Sequence, residues 1–178
     1  MSAGRGAASS TAWWHRLRGA GPVLAAAVIG FGVGAYFALS GDDARAQGPL
    51  RATVAAERLV VFKSPTCLCC GEWVEHAREL GFTVDVRDLP DVAPTKRQLG
   101  VPLEATSCHT TTAGGYVFEG HIPADLAAQV LETRPAIAGL AVPGMPQSAP
   151  GMYAGGPREP YEVLQFRRNG EMTLYAQR

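Results

Sequence analysis

The chain lacks an excess of either charge: 16 basic residues stand against 16 acidic ones among 178. That balance removes any reason to invoke nucleic acid, which needs a basic face. The chain also lacks an internal repeat, since the two Pro-Gly-Met occurrences (Pro143-Gly144-Met145 and Pro150-Gly151-Met152) are too short to form one. Cysteine is scarce, with four residues, yet three of them fall within Cys67-Leu68-Cys69-Cys70. A thiol cluster of that density points to redox chemistry or to soft-metal binding.

One stretch lacks charge altogether. Gly21 to Leu39 runs for 19 residues, about 28 Å as a helix, close to the hydrocarbon thickness of a bilayer. Arg16 and Arg18 precede it, and Asp42 and Asp43 follow it. That asymmetry leaves residues 1–20 in the cytoplasm and sends the rest across the membrane. Two readings compete: a single-span anchor over 21–39, or a signal peptide cleaved near Ala46, where Ala44-Arg45-Ala46 has the small-x-small pattern. A buried soluble helix is disfavoured because the run has no polar face. Both leading readings make the remainder periplasmic or extracytoplasmic, where disulfides persist. The first 46 residues hold four arginines and two aspartates, so 12 basic and 14 acidic residues remain, an ordinary balance for a soluble domain.

Residues 40–57 read as a linker and 58–178 as one domain. Arg58 to Lys63 is a near-continuous apolar run, as in a strand buried on both faces. Pro65 ends it. Leu68 to Leu80 has the spacing of a helix, with Trp73, Val74, Ala77 and Leu80 facing inward and Gly81 as the stop. Phe82 to Val86 alternates as a second strand, and Ala93 to Leu99 is a short helix ended by Gly100. This order predicts a parallel strand pair. Two β-prone runs around Gly114-Gly115 form a hairpin, and Pro123 to Arg134 is an amphipathic helix with Leu126, Val130 and Leu131 inward. Gly139 to Pro160 reads as a long Pro/Gly loop. Tyr161 to Phe166 and Glu171 to Tyr175 close the chain as a hairpin through Arg168-Asn169-Gly170. The fold class is α/β, with a β-α-β-α-β-β-α core.

Cys67 and Cys70 have the C-x-x-C spacing at a helix start. There the helix dipole and free N–H groups favour thiolates, and the sulfurs can reach one metal or each other. In the hairpin register Ala113 faces Tyr116, so Cys108 faces His121 and His109 turns to the other face. Cys67, Cys70, Cys108 and His121 are the predicted metal ligands. His109 is the alternative to His121, because a one-residue slip swaps the faces. Cys69 is either a buried small apolar residue or a further donor, and it could instead pair with Cys108. Met145 and Met152 offer thioethers that suit Cu(I), or they pack the loop on the core. His76 is read as solvated.

Val60-Val61-Phe62-Lys63-Ser64-Pro65-Thr66-Cys67, Cys69-Cys70-Gly71, Ser107-Cys108-His109-Thr110, Gly115 to Pro123, Gly139 to Pro146 and Gly155-Gly156-Pro157 occur in that order. Together they resemble an uncharacterised family of small exported bacterial proteins, described as metal-binding and associated with copper resistance. The family commonly has glycine where this chain has Leu68. The resemblance implies a thioredoxin-like fold. In that fold a cis-proline faces the C-x-x-C pair, and here the same neighbourhood carries Ser107-Cys108-His109, which leans toward metal binding. The expected function is sequestration or delivery of copper(I), with zinc as the alternative metal. The expected partner is a copper-exporting or copper-accepting protein, with the membrane added if the N-terminal segment stays attached. No substrate chemistry is required. The rival reading is a thiol–disulfide oxidoreductase, with Cys67 and Cys70 as the redox pair. Two structural disulfides are a third reading, made awkward by the crowding of Cys67, Cys69 and Cys70.

Overall fold

The computed structural model describes residues 56–152 and 155–178. The uncharged run 21–39 and the cleavage pattern at Ala46 lie outside them. Among the described residues no helix is long and apolar enough to cross a membrane.

Seven strands form one mixed sheet. They are β1 (Arg58–Lys63), β2 (Thr83–Asp88), β3 (Thr110–Ala113), β4 (Tyr116–Glu119), β5 (Gly139–Ala141), β6 (Glu162–Phe166) and β7 (Met172–Gln177). Their order across the sheet is β2-β1-β3-β4-β5-β6-β7. Among the described residues, the α-helices α1 (Leu68–Glu79), α2 (Ala93–Gln98) and α3 (Ala124–Thr133) accompany them. A 3-10 turn spans Leu103–Ala105.

As the β-α-β order predicts, β1 and β2 are parallel. The central hairpin keeps its expected register, with Ala113 opposite Tyr116 and Thr111 opposite Phe118. The alternation of β4 sorts two cores. Phe118 joins Leu59, Val61, Trp73, Ala77, Val130 and Leu131 on the face covered by α1 and α3. Val117 joins Val101, Ala105, Ala141 and Phe166 in a smaller cluster.

Helix ends follow backbone chemistry. Beyond α1, Gly81 takes φ 100°, and the Phe82 N–H donates back to the Ala77 carbonyl at 3.1 Å. This Schellman closure satisfies a carbonyl that the helix end would orphan. It also corrects one inward residue. Leu80 sits in the turn and is 43 % exposed, while Phe82 fills the core position. The same closure ends α2, with Gly100 at φ 74° and the Val101 N–H donating to the Lys96 carbonyl at 3.0 Å.

The predicted loop Gly139 to Pro160 is shorter than expected, because Gly139–Ala141 is a strand. This β5 pairs parallel with β4 and antiparallel with β6. It joins the C-terminal hairpin to the main sheet. Three residues are too few for periodicity to register. A side chain at Gly139 would collide with the Val117 carbonyl on the neighbouring strand, so its glycine answers to close strand approach.

Candidate metal centre

The hairpin ladder ends at Thr110 opposite Glu119. Beyond it Gly120 adopts φ 74°, a conformation costly for any residue with a Cβ. A Cβ there would also collide with Ser107 and the Val142 carbonyl. This kink brings His121 back over the segment that precedes β3. Cys108 Sγ lies 3.0 Å from His121 Nε2 and 3.3 Å from His109 Nδ1. The expected choice between the two histidines is therefore corrected: regular strand alternation stops at Thr110, and both imidazoles meet the same sulfur.

The partners assign the tautomers. His121 Nδ1 donates to the Pro150 carbonyl at 2.7 Å, which leaves its Nε2 lone pair facing Cys108. Cys108 S–H can donate to that nitrogen and accept from His109 Nδ1–H. His109 Nε2 then remains buried without a hydrogen-bond partner. Burial holds His109 well below its ordinary pKa, and the charges of His121, Lys96 and Lys63 push the same way. Burial also lowers His121, with the Pro150 carbonyl opposing. Burial thus favours the neutral form of both rings, the form that binds metals. Burial pushes the Cys108 thiol up to about 11. Cys69 reinforces the shift, and the Ser107 hydrogen bond and the Lys96 charge oppose it. A metal bound there must displace that proton.

The other three sulfurs come from the start of α1. Cys67 occupies the cap position without a side-chain hydrogen bond. Cys67 and Cys70 form a disulfide, with their Cα atoms 5.4 Å apart. Cys69 and Cys108 are free thiols, so the reading of two structural disulfides fails. Cys69 is not the buried apolar residue of the first reading. It is partly exposed, and its Sγ lies 3.6 Å from that of Cys67. Among the described residues two groups could hold a metal ion. The donor atoms of Cys67, Cys69, Cys70 and Cys108 lie within 4.8 Å of one another, and so do those of Cys108, His109 and His121. Four sulfurs and two imidazoles, one of them carrying an orphaned ring nitrogen, fit a soft metal.

The surroundings hold these donors in place. Trp73 Nε1 donates to the Ile122 carbonyl at 2.7 Å, and its ring lies 4.8 Å from that of His109. Pro150, which receives His121, is set by Gly151 at φ 78°. A Cβ at Gly151 would lie 2.6 Å from the Trp73 backbone nitrogen and 2.9 Å from the Cys69 carbonyl. The Pro/Gly loop thus rests directly on the first turns of α1. Met152 packs against the core, whereas Met145 is 55 % exposed. His76 is half-buried rather than solvated, and its Nε2 accepts the Ala124 N–H at the start of α3.

Sequence reasoning missed a buried polar network behind the centre. Glu119 is fully buried and Lys96 nearly so. Lys96 Nζ lies 2.5 Å from Glu119 Oε1, which also accepts the Ser107 N–H at 2.7 Å. Thr110 Oγ1 donates to Glu119 Oε2 at 2.6 Å. Burial raises the Glu119 pKa, against the pull of Lys96, Thr110 and Ser107. The one available signal was a carboxylate ending the apolar run Tyr116-Val117-Phe118.

The family described as "Protein of unknown function, DUF411" matches residues 105–152. That segment contains Cys108, His109, His121 and Pro150. No curated protein matches the chain. Two solved structures do. "Copper resistance protein copG- Form 2" is 35% identical, with 68% of this chain and 98% of that chain covered and a TM-score of 0.63. "Copper resistance protein copG- Form 1" is 35% identical, with 68% and 96% covered and a TM-score of 0.64. At that identity, over nearly the whole length of those proteins, this chain belongs to the copper resistance protein CopG family.

Proposed function

We propose that the protein is an extracytoplasmic metal-binding protein that sequesters copper(I) or hands it to a copper-exporting or copper-accepting partner. Cys67, Cys70, Cys108 and His121 are its principal ligands, with His109 and Cys69 as further donors. The observation that carries this reading is the sharing of Cys108 between a four-sulfur group and a Cys-His-His group. Thiolates select Cu(I) and Zn²⁺ over harder ions, and the copper-resistance relatives favour copper over zinc. The scaffold is read as thioredoxin-like, supported by a parallel β1-α1-β2 unit with the C-x-x-C pair at the start of α1. The uncharged run 21–39 supports export. Leu68 is 85 % exposed between two cysteines, which leaves the sulfur side open to a partner.

The disulfide sets a condition. In the oxidised chain Cys67 and Cys70 cannot act as thiolates. Two electrons and two protons from a dithiol donor convert the disulfide to two thiols, and the donor becomes a disulfide. The test is an anaerobic Cu(I) competition titration with parallel thiol counting. The reduced protein, with four titratable thiols, is expected to bind at least ~10-fold more tightly than the oxidised protein with two, an effect on the scale of losing metal ligand support. Equal affinity in both states removes Cys67 and Cys70 from the site.

The disulfide also favours a second reading, a thiol–disulfide oxidoreductase using Cys67 and Cys70. Metal-free protein that turns over a dithiol substrate, and that binds no copper after reduction, would establish this reading in place of the first.

A further inference from the structure

We propose that Glu119, charge-paired with Lys96, is the positioning residue for the Cys108–His109 segment. This inference rests on the metal-binding reading. The regular ladder ends at Thr110 opposite Glu119, so strand pairing leaves residues 107–109 a single backbone bond across the hairpin, at His109. The Glu119 carboxylate adds to that hold. One oxygen accepts the Ser107 N–H at 2.7 Å, directly before Cys108. The other accepts the Thr110 hydroxyl at 2.6 Å, directly after His109. A single side chain therefore clamps both ends of the two-residue segment that supplies a sulfur and an imidazole. The next residue adds a third hold, because the Gly120 N–H donates to the His109 carbonyl at 2.9 Å.

Lys96 makes the clamp rigid. Its Nζ binds Glu119 Oε1 at 2.5 Å and Thr110 Oγ1 at 3.0 Å. A buried ion pair is poor evidence of a stability role, since apolar residues of similar volume often serve the fold as well. What apolar residues cannot do is accept the Ser107 N–H and the Thr110 hydroxyl. Groups that orient metal ligands from one step away commonly alter affinity by about 10–100-fold. Glu119 acts in this way, by fixing where Cys108 and His109 present their donor atoms.

The experiment uses the reduced full-length chain and three variants: Lys96→Met/Glu119→Leu, Glu119→Gln and Thr110→Val. Three quantities are measured: the anaerobic Cu(I) competition constant, the rate of Cys108 alkylation without metal, and the thermal midpoint. The double variant is expected to fold, to bind Cu(I) at least ~10-fold more weakly and to alkylate faster. Glu119→Gln keeps an acceptor for Ser107 and can exchange donor and acceptor roles with Thr110, so it should stay nearer wild type than the double variant. A folded double variant with wild-type affinity and alkylation rate overturns the proposal. If the double variant does not fold, Thr110→Val decides: about tenfold weaker binding supports the clamp, and unchanged binding overturns it. A wild type that binds no copper after reduction overturns the metal-binding reading and this inference with it. Binding by the wild type and equally by every folded variant overturns this inference alone.

Discussion

Two half-sites meet at Cys108, and they are built differently. On the α1 side, Cys67 and Cys69 are partly exposed, and Cys67 is joined to Cys70 in a disulfide. On the hairpin side, His109 and His121 are fully buried and their rings lie 5.0 Å apart, edge to face. The difference has a physical basis. Thiols that must trade electrons or metal need access to a partner. Imidazoles that are to stay neutral need burial, and His121 is further oriented by its second hydrogen bond, to the Pro150 carbonyl. In the proposed function the sulfur half is the exchangeable part and the imidazole half its fixed frame.

That contrast can be broken at several points. The largest expected effect is from Trp73→Ala, which removes the ring beneath His109 and the hydrogen bond to Ile122. Deleting a buried tryptophan costs about 3–5 kcal/mol, read as a lower urea midpoint. A loss well below that range would mean that the imidazole half stands without α1. Next is Cys108→Ser, which removes the one donor common to both halves. Copper(I) affinity is expected to fall at least ~10-fold, about 1.4 kcal/mol or more, in an anaerobic competition titration. Unchanged affinity would remove Cys108 from the site and separate the halves. The smallest effect is expected from Met145→Leu. Substitution of an exposed residue away from packing usually shifts stability by under ~0.5 kcal/mol, and copper affinity should hold as well. A tenfold fall would bring the Met145 thioether into the sulfur half.

The sequence made much of the frame legible. The run Arg58–Lys63 was readable as a strand from its apolar centre, although only Leu59 and Val61 are buried while Val60 and Phe62, on the other face, stay partly exposed. The hairpin register was readable because Gly114-Gly115 leaves few ways to pair its flanks. That register predicts Cys108 opposite His121; the two do meet, but through the kink at Gly120, because pairing ends at Thr110 opposite Glu119. The expectation that His109 turns to the other face failed, because alternation assumes a continuing strand and Gly120 ends it with a positive φ. Gly139–Ala141 was missed because three residues carry no period. Lys96 and Glu119 were missed because their burial depends on elements 23 residues apart in sequence, and nothing local marks a lysine for burial.

The sequence by itself determined the α/β order, the turn at Gly114-Gly115 and the clustering of Cys67, Cys69 and Cys70 at a helix start. Those follow from short-range preferences of backbone and side chains. Tertiary structure decided the rest. The kink at Gly120, the seating of Gly151 on α1 and the carboxylate clamp of Glu119 bring both histidines to one sulfur. Close packing and buried hydrogen bonds between distant segments set those distances, and no local pattern encodes them.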